Sequence, residues 1–306
     1  MDAVAAREVA LPRSWWTARR RGYLLALAFI LPAVVNFVIF RYLPIFAAIR
    51  SSLWQYSLLG GYGEFIGLQA YLRMLEDPIF WKSLWVTTAY VLMKVPAQIV
   101  LSMGLALLLQ RESRFTAVVR SAIFAPVVTS IVVISVIWAL MYHVQLGLLN
   151  SIITSVGLPR IAFLSNPRLA LVAIVIMMVW KEIGFSMIIL MAGLKGIPDM
   201  YFEAARIDGA SGWQQFWRIT LPLLRRVLMF VVVTQTIFSF QVFVPVYTMT
   251  RGGPLDATKV IVYYIYQNGF LFQDMGYAAA ISTVTLIVLL VVSAVQMWLL
   301  RSEVEY

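Results

Sequence analysis

Six long apolar runs constrain the fold of this 306-residue chain more than any other feature. Each run approaches or exceeds the roughly 20 residues that an α-helix needs to cross a bilayer. The runs cover residues 23–40, 83–109, 121–142, 169–194, 227–250 and 275–300. Apolar residues make up 62% of the chain and charged residues only 12%, which leaves too few polar side chains to cover a water-soluble domain. The sequence therefore predicts an all-α membrane protein with six transmembrane helices.

The first run is the shortest, and a cleaved signal peptide is the alternative interpretation of it. Its 18 uncharged residues exceed a normal signal-peptide core, and no small-x-small cleavage site follows. Tyr42 and the flanking arginines can extend the run, because such side chains reach the interface. We therefore predict spans at about 23–42, 83–109, 121–142, 169–194, 227–250 and 275–300. The remaining segments are tails at 1–22 and 301–306 and a polar loop at 195–226.

The basic residues indicate how the chain is oriented in the membrane. The net charge is +10, yet the densest cluster is only Arg19, Arg20 and Arg21, directly before an apolar run. This placement is typical of a membrane anchor on its cytoplasmic side. With the N-terminus inside, fourteen Lys and Arg residues fall in inner segments and eight in outer segments. The positive-inside rule therefore predicts that both termini and the 195–226 loop are cytoplasmic.

Residues 198–222, here called the polar bracket, interrupt the apolar pattern before the fifth run. Pro198 suits a first helical turn, and Gly209 is typical of the residue that follows a helix end. Ser211 and Gln214 then form the S-x-x-Q pattern of a capping box. Pro222 marks the junction with the next span. The sequence predicts two short helices joined at Gly209.

The aromatic side of the second short helix (Trp213, Phe216, Trp217) leaves two interpretations open. The bracket could be an amphipathic hairpin that only connects two spans. Alternatively, it could be a docking surface, because it is longer than a connection needs to be. Its charged residues, Glu203, Arg206 and Asp208, cannot all face lipid at low cost.

The bracket also resembles the EAA loop of ABC-importer permeases. The resemblance is carried by Glu203-Ala204-Ala205, Asp208-Gly209, Ile219 and Leu221-Pro222. In that family the first helix inserts into a cleft on the nucleotide-binding subunit. The resemblance implies that Glu203 meets basic groups there, that Ala204 and Ala205 allow close approach, and that Gly209 permits the bend. It extends the coupling role to Asp208 and Arg218.

Two further segments resemble the same family, in its carbohydrate-uptake branch. They are residues 67–81 (GLQAYLRMLEDPIFW) and residues 251–280, which contain the sequence RGGP. The resemblance implies the type I importer fold in a compact six-helix form and a bacterial-type inner membrane. It also implies a maltose-type sugar, a polyol or a glycerol-phosphate as cargo. Implied partners are two ATPase subunits that bind ATP and Mg, a second related permease, and a solute-binding protein that contacts Gly252, Gly253 and Pro254.

Charged residues within the apolar runs are the candidates for handling a substrate. Lys94, Lys181 and Glu182 lie near the middle of the second and fourth runs, where charges are costly and usually face a cavity or a partner charge. Sugar binding requires hydrogen-bonding groups beside aromatic faces. The predicted cavity residues are Trp180, Lys181, Glu182, Phe185, Gln235, Ser239, Phe240, Gln241 and Phe243, with Lys94 a further candidate. The alternative is that a lysine forms a structural ion pair or snorkels, and that the aromatic residues only pack.

Other chemistry has little support in the sequence. The chain has no cysteine and a single histidine, His143, so a metal site of these residue types is not expected. It contains no G-x-x-x-x-G-K-[ST] phosphate loop and no recognisable nucleophile–base pair. We therefore predict a non-catalytic permease with no cofactor of its own. The alternatives are an ion-coupled secondary transporter that uses Lys181 and Glu182 as coupling charges, and a membrane scaffold or enzyme subunit without a transport role.

Overall fold

A computed structural model describes residues 14–300 of the chain, which form a mostly helical bundle. Long connections occur at residues 156–169 and 250–260, and three π-helical turns occur at Val38–Tyr42, Phe216–Thr220 and Gln267–Leu271. Two strands, β1 Trp54–Ser57 and β2 Gly61–Phe65, pair antiparallel. The helices are α1 Ser14–Phe37, α2 Leu43–Ser51, α3 Gln69–Glu76, α4 Pro78–Leu108, α5 Arg114–Val128, α6 Ile131–Met141, α7 Leu148–Ser155, α8 Ala170–Lys195, α9 Asp199–Ile207, α10 Gly212–Gln215, α11 Leu221–Leu223, α12 Arg225–Phe240, α13 Val244–Met249, α14 Ile261–Tyr266 and α15 Met275–Leu300.

Among the described residues, five helical segments are long and apolar enough to cross a membrane. They are Arg20–Ser51, Pro78–Leu108, Ala170–Lys195, Arg225–Met249 and Met275–Leu300. A sixth span is obtained if α5 and α6 are counted together. The six predicted apolar runs therefore all lie on helices of the bundle.

The third apolar run differs from the continuous helix that its composition predicts. Helices α5 and α6 meet at an angle of 100°, and Thr129 between them has an extended backbone. Ser130, the next residue, has ψ of 128° and is not helical either, so the break follows Val128. The run is uniformly apolar across the bend, so hydropathy alone does not reveal it.

The fifth span is also interrupted. Helix α12 ends at Phe240, and the separate helix α13 begins at Val244 with a proline at its start. The intervening residues include Phe243, whose φ of −137° and ψ of −60° are not helical. The helix of this span is therefore interrupted near its C-terminal end.

The centre of the bundle is the contact of α8 with α4 and α5. Helix α8 carries the longest set of buried residues, and α12 packs against both α4 and α8. Gly184 allows α5 to approach α8 closely, because a Cβ there would lie 2.6 Å from the Ile123 carbonyl oxygen and 2.9 Å from Phe124 Cα. The α5–α8 contact thus depends on the absence of a side chain at this position. Small residues allow such close helix packing in membranes.

We expect a Gly184→Ala substitution to separate α5 from α8 and to lower the free energy of unfolding by about 1–3 kcal/mol, the usual cost of overpacking. Thermal unfolding in mild detergent measures the effect. The control is Gly104→Ala on α4, where an added Cβ meets nothing within 4 Å. Equal stability of the two variants would contradict the close contact.

The first span stands apart from the rest of the bundle. None of its most apolar 18-residue window is buried within the chain. Its attachment comes from α2, which packs against α15 and β1. Lipid or another protein must therefore cover this helix in the membrane.

The segment around Gly60–Gly63 belongs to the β1–β2 hairpin. Tyr56 stacks on Tyr62 with ring centroids 4.5 Å apart, and Trp54 packs edge-on against Phe65. Cross-strand aromatic pairs of this kind stabilise antiparallel strands. Gly61, with φ of +69°, supplies the positive backbone angle of the tight turn.

Asp77 joins three helices at the same end of the bundle as the hairpin. It precedes α4 and accepts hydrogen bonds from the hydroxyls of Tyr264 on α14 and Tyr277 on α15, each at 2.5 Å. Burial acts to raise the pKa of the Asp77 carboxyl, but these two hydrogen bonds and that of the Ile79 amide outweigh it and lower the pKa below its ordinary value of 3.8. The Arg73–Asp274 ion pair, at 2.6 Å, lies beside this cluster.

The lowered pKa of Asp77 predicts acid sensitivity of this junction. A carboxyl with a depressed pKa stabilises the folded state fully above its unfolded pKa, and this contribution is lost as pH falls through the folded pKa. We therefore expect the melting temperature of the wild type to drop below about pH 4. An Asp77→Asn variant should be less stable at neutral pH and should lack this component of the acid transition. An unchanged acid transition in the variant would contradict the assignment.

Candidate functional site: the polar bracket and the central polar network

The polar bracket folds as two short helices, as its capping residues predict. Helix α9 ends at Ile207, Gly209 has φ of +75°, and the Ala210 amide donates to the Ala205 carbonyl at 2.8 Å. Ser211 and Gln214 form the predicted capping box in both directions. One detail differs, since Pro198 is the residue before the helix, with ψ of 134°, and is not within its first turn.

The predicted coupling residues form an exposed surface. Glu203, Ala204, Asp208, Gly209 and Arg218 are exposed, and Ala205 is half-buried. Within residues 14–300, neither Glu203 nor Asp208 takes part in an ion pair. Two uncompensated carboxylates, one on α9 and one directly after its end, are suited to bind a basic partner surface.

The opposite side of the bracket is attached to the bundle. Ile197 and Leu224, at its two ends, are buried with Leu194 of α8. Phe202 of α9 and Phe216 of the second short helix pack against the same core. The bracket is therefore connected directly to α8 and α12, so a displacement of α9 acts on both spans.

A polar network crosses the centre of the bundle. Lys94 of α4 donates to Glu182 Oε2 of α8 at 2.6 Å and to Gln235 Oε1 of α12 at 2.5 Å. Ser186 of α8 accepts hydrogen bonds from Gln98 Nε2 at 3.2 Å and Gln235 Nε2 at 3.1 Å. The side chain of Lys94 is 1% exposed and that of Glu182 is 21% exposed. The carboxylate is thus the charge of this pair that reaches the surface of the bundle.

Sequence reasoning missed Gln98 and Ser186 as members of this network. On α4, the buried polar residues Tyr90, Lys94, Gln98 and Ser102 recur every fourth position. Residues four apart lie on one face of an α-helix. This stripe of polar side chains in an otherwise apolar span is the signal that would have identified Gln98.

The remaining predicted cavity residues do not all join the network. Lys181 is not paired with Glu182; its Nζ donates to the Val127 carbonyl at 3.3 Å, at the end of α5. Trp180 packs against Trp138 with ring centroids 5.4 Å apart. It lines a cavity of apolar residues between α4, α5 and α8, about 200° around the helix from Glu182.

The remaining predicted residues, on α12, directly after it and at Phe185 of α8, are divided between core and surface. Gln235 and Ser239 are buried, and Ser239 donates to the Gln235 carbonyl at 2.6 Å. Phe240 belongs to the apolar core, while Gln241 is exposed. Phe243 and Phe185 are half-buried, and Phe243 lies 5.2 Å from Tyr266 and 5.4 Å from Tyr247, measured between ring centroids.

The RGGP loop turns sharply between α13 and α14. Gly252 has φ of +82° and is buried against Tyr263, and the Gly253–Pro254 peptide is cis. Gly253 and Pro254 are half-buried, whereas Leu255 is 80% exposed. The tip beyond the glycines is the part of this loop that a partner could contact.

His143 accepts hydrogen bonds at Nδ1 from the amides of Gln145 and Leu146, at 3.3 and 3.2 Å. The residues that the structure describes contain no group of three or more His, Cys, Asp or Glu side chains placed to hold a metal ion.

Residues 98–303, two thirds of the chain, match the protein family described as "Binding-protein-dependent transport system inner membrane component". The chain belongs to this family. The matched region contains the whole polar bracket and the residues of the central network except Lys94. Because members of the family are transport permeases, the chain is a multi-pass permease of the ABC transporter class.

Curated relatives of this permease cover nearly its whole length. A probable ABC transporter permease of Bacillus subtilis, YurN, is 33% identical over 90% of this chain and 96% of its own length. The trehalose/maltose transport system permease MalF of Thermococcus litoralis is 35% identical over 88% and 90%. The sn-glycerol-3-phosphate permease UgpA of Agrobacterium fabrum is 30% identical over 90% and 94%.

A solved structure shares the fold of this permease. It is the crystal structure of a bacterial alginate ABC transporter in complex with an alginate pentasaccharide-bound periplasmic protein. The TM-score is 0.82 over 94% of this chain and 96% of that chain, at 24% identity. This match confirms the predicted type I importer fold.

Proposed function

We propose that this permease is the membrane subunit of an ATP-driven importer for a carbohydrate-like solute, delivered by a solute-binding protein. The cargo class is an oligosaccharide, a polyol or a glycerol-phosphate. The family supports the import of a solute from a binding protein. The substrates in the names of the relatives, trehalose/maltose, lactose and sn-glycerol-3-phosphate, support the carbohydrate class.

The observation that carries the proposal is the geometry of the polar bracket. Helix α9 presents Glu203 to solvent and Asp208 directly follows its end, and neither carboxylate has an ion-pair partner among the described residues. The other side of α9 packs against the core that α8 and α12 share. Two cytoplasmic ATPase subunits bind ATP and Mg and hold α9 of this chain and of a second permease. The coupling surface comprises Glu203, Ala204, Ala205, Asp208, Gly209 and Arg218.

The second permease is supported by the first span. The most apolar window of this span has no residue buried within this chain. A related subunit packed against the span would bury part of that surface. On the opposite side of the membrane, the solute-binding protein contacts the tip of the loop that includes Gly252, Gly253 and Pro254. Both termini and the bracket are then on the cytoplasmic side.

In this mechanism the central network transmits the movement and borders the cargo site. Lys94, Glu182 and Gln235 join α4, α8 and α12, so a rotation of one span relative to another must rearrange their contacts. ATP binding changes access only if the ATPase binds the two states of the permease with different affinity. Glu182 and half-buried Phe185 on α8, with Phe243 beyond α12, supply a hydrogen-bonding group and ring faces for a sugar.

Affinity purification in mild detergent, followed by reconstitution, tests the proposal. The permease should co-purify with an ATPase and a second permease, and a ligand-loaded solute-binding protein should stimulate ATP hydrolysis. Maltose, trehalose, lactose and sn-glycerol-3-phosphate are the first ligands to compare. Isolation of a permease without any ATPase, combined with uptake that survives ATP depletion and stops with an uncoupler, would contradict it.

The absence of cysteine from the chain allows a direct test of orientation. A Ser211→Cys variant places one thiol on the exposed turn of the bracket. A membrane-impermeant maleimide should label this thiol in inside-out vesicles and not in intact cells. Labelling in intact cells would place the bracket outside and contradict the proposal.

A further inference from the structure

We propose that the groove between the polar bracket and α4 binds an anionic phospholipid of the bilayer leaflet on that side. The groove has a volume of about 1190 Å³ and lies between the ends of α4 and α8, the bracket and the start of α12. Its volume is at or above the roughly 300–1,000 Å³ that is usual for small-molecule sites. This assignment names an occupant other than the cargo and the ATPase.

The groove is amphipathic along its length. Apolar side chains line its deeper part: Val100, Met103 and Leu107 of α4 with Leu228 of α12. Val100 lies about 12 Å along the helix axis from the end of α4, at 1.5 Å per residue. The deeper part therefore reaches the level of the acyl chains.

The rim of the groove is basic. Arg111, Lys195 and Arg206 line it, and Asp199 is the one acidic lining residue. Lys195 is paired with Glu112 at 2.5 Å but remains 53% exposed. Arg206 donates its Nε to the Phe202 carbonyl. A cationic rim above the apolar deeper part of the groove, here called the trough, is complementary to the anionic head group and apolar chains of a lipid. Basic pockets between transmembrane helices are known to bind such head groups.

The rim is held in place by its neighbours. The guanidinium of Arg120 donates to the carbonyls of Leu109 and Arg111, which fixes the chain where it leaves α4. On the other side, Trp213 and Trp217 are 71% and 51% exposed and pack edge to face. Exposed tryptophans are typical of the membrane–water interface. Together these contacts place the cationic rim at head-group level.

A protein occupant fits the groove less well than a lipid. A docked polypeptide would have to satisfy its backbone groups against an apolar trough at membrane depth, which is costly. Acyl chains need no such partners. The bilayer also supplies lipid laterally, because Val100 of α4 is 69% exposed on the outside of the bundle.

Native mass spectrometry of the purified full chain, with the partners that co-purify, tests the assignment by titration with phosphatidylglycerol. We expect an Arg111→Gln/Lys195→Gln variant to bind it about 25-fold more weakly, because each basic residue near an anionic surface contributes about fivefold. The matched control is Arg114→Gln/Arg226→Gln, which removes the same charge on the same side from residues outside the groove. The control should bind as the wild type does.

A second variant tests the trough without changing charge. Gly104 lines the groove, and a Cβ there meets nothing within 4 Å, so the side chain of Gly104→Leu starts in open space and occupies part of the groove. It should also abolish tight phosphatidylglycerol binding, whereas Gly22→Leu on α1 should not. Wild-type lipid binding by Gly104→Leu, equal binding of phosphatidylcholine, or displacement of the lipid by inorganic phosphate would each overturn the proposal. Loss of a protein partner from these variants with unchanged lipid binding would overturn it as well.

Discussion

A Gly209→Pro variant is expected to lose most of the ATP hydrolysis that a loaded solute-binding protein stimulates. Gly209 has φ of +75°, whereas proline fixes φ near −65°. The substitution also removes the amide that donates to the Arg206 carbonyl at 3.1 Å. The bracket then cannot hold α9 and α10 in their observed arrangement, so stimulated activity should fall by at least about tenfold, corresponding to 1.4 kcal/mol.

Two further glycine variants separate backbone strain from loss of flexibility. Gly209→Ala should have an intermediate effect, because a left-handed conformation costs a non-glycine residue about 1–2 kcal/mol. Gly212→Ala should behave as the wild type, since its φ is not positive and an added Cβ meets nothing within 4 Å. Stimulated ATP hydrolysis that is unchanged in Gly209→Pro would refute the coupling role of the bracket.

A Lys94→Met variant is expected to be strongly destabilised. It leaves the Glu182 carboxylate and the Gln235 amide oxygen without their shared donor in the centre of the bundle. Removing one partner of a buried pair costs about 3–5 kcal/mol. Because Glu182 is partly exposed, we expect a loss of about 3 kcal/mol in the free energy of unfolding, measured by denaturant titration in detergent micelles.

The double variant Lys94→Met/Glu182→Leu distinguishes a charge effect from a packing effect. If the uncompensated carboxylate causes the loss, removal of both charges should restore most of the stability. Lys195→Met, which breaks the exposed pair with Glu112, should leave stability unchanged. A double variant whose loss is the sum of those of its single variants would show that the pair does not interact.

The polar bracket was predictable in detail because its signals are local. The turn at Gly209 and the capping box of Ser211 and Gln214 depend on residues within a few positions of each other, and both are as predicted. The six apolar runs were predictable for the same reason, since a helix in lipid satisfies its own backbone. The coupling roles of Glu203 and its neighbours remain predictions.

The central network was only partly predictable because it joins residues far apart in the chain. The sequence indicated that Lys94, Lys181 and Glu182 needed partners at membrane depth. It left open which lysine would pair, and Lys181, directly next to Glu182, was the obvious choice. Adjacent residues on a helix point in different directions, and the structure pairs Glu182 with Lys94, 88 positions away.

The sequence by itself determined the class of this protein, its number of apolar runs, the local structure of its bracket and, through the bracket's residues, its family. Only the tertiary structure decided the 100° bend between α5 and α6, the pairing of Glu182 with Lys94, and the basic groove between the bracket and α4. The physical reason is that hydropathy and capping residues determine structure only within one span or one helical turn. Bends, ion pairs and grooves depend on which helices pack together.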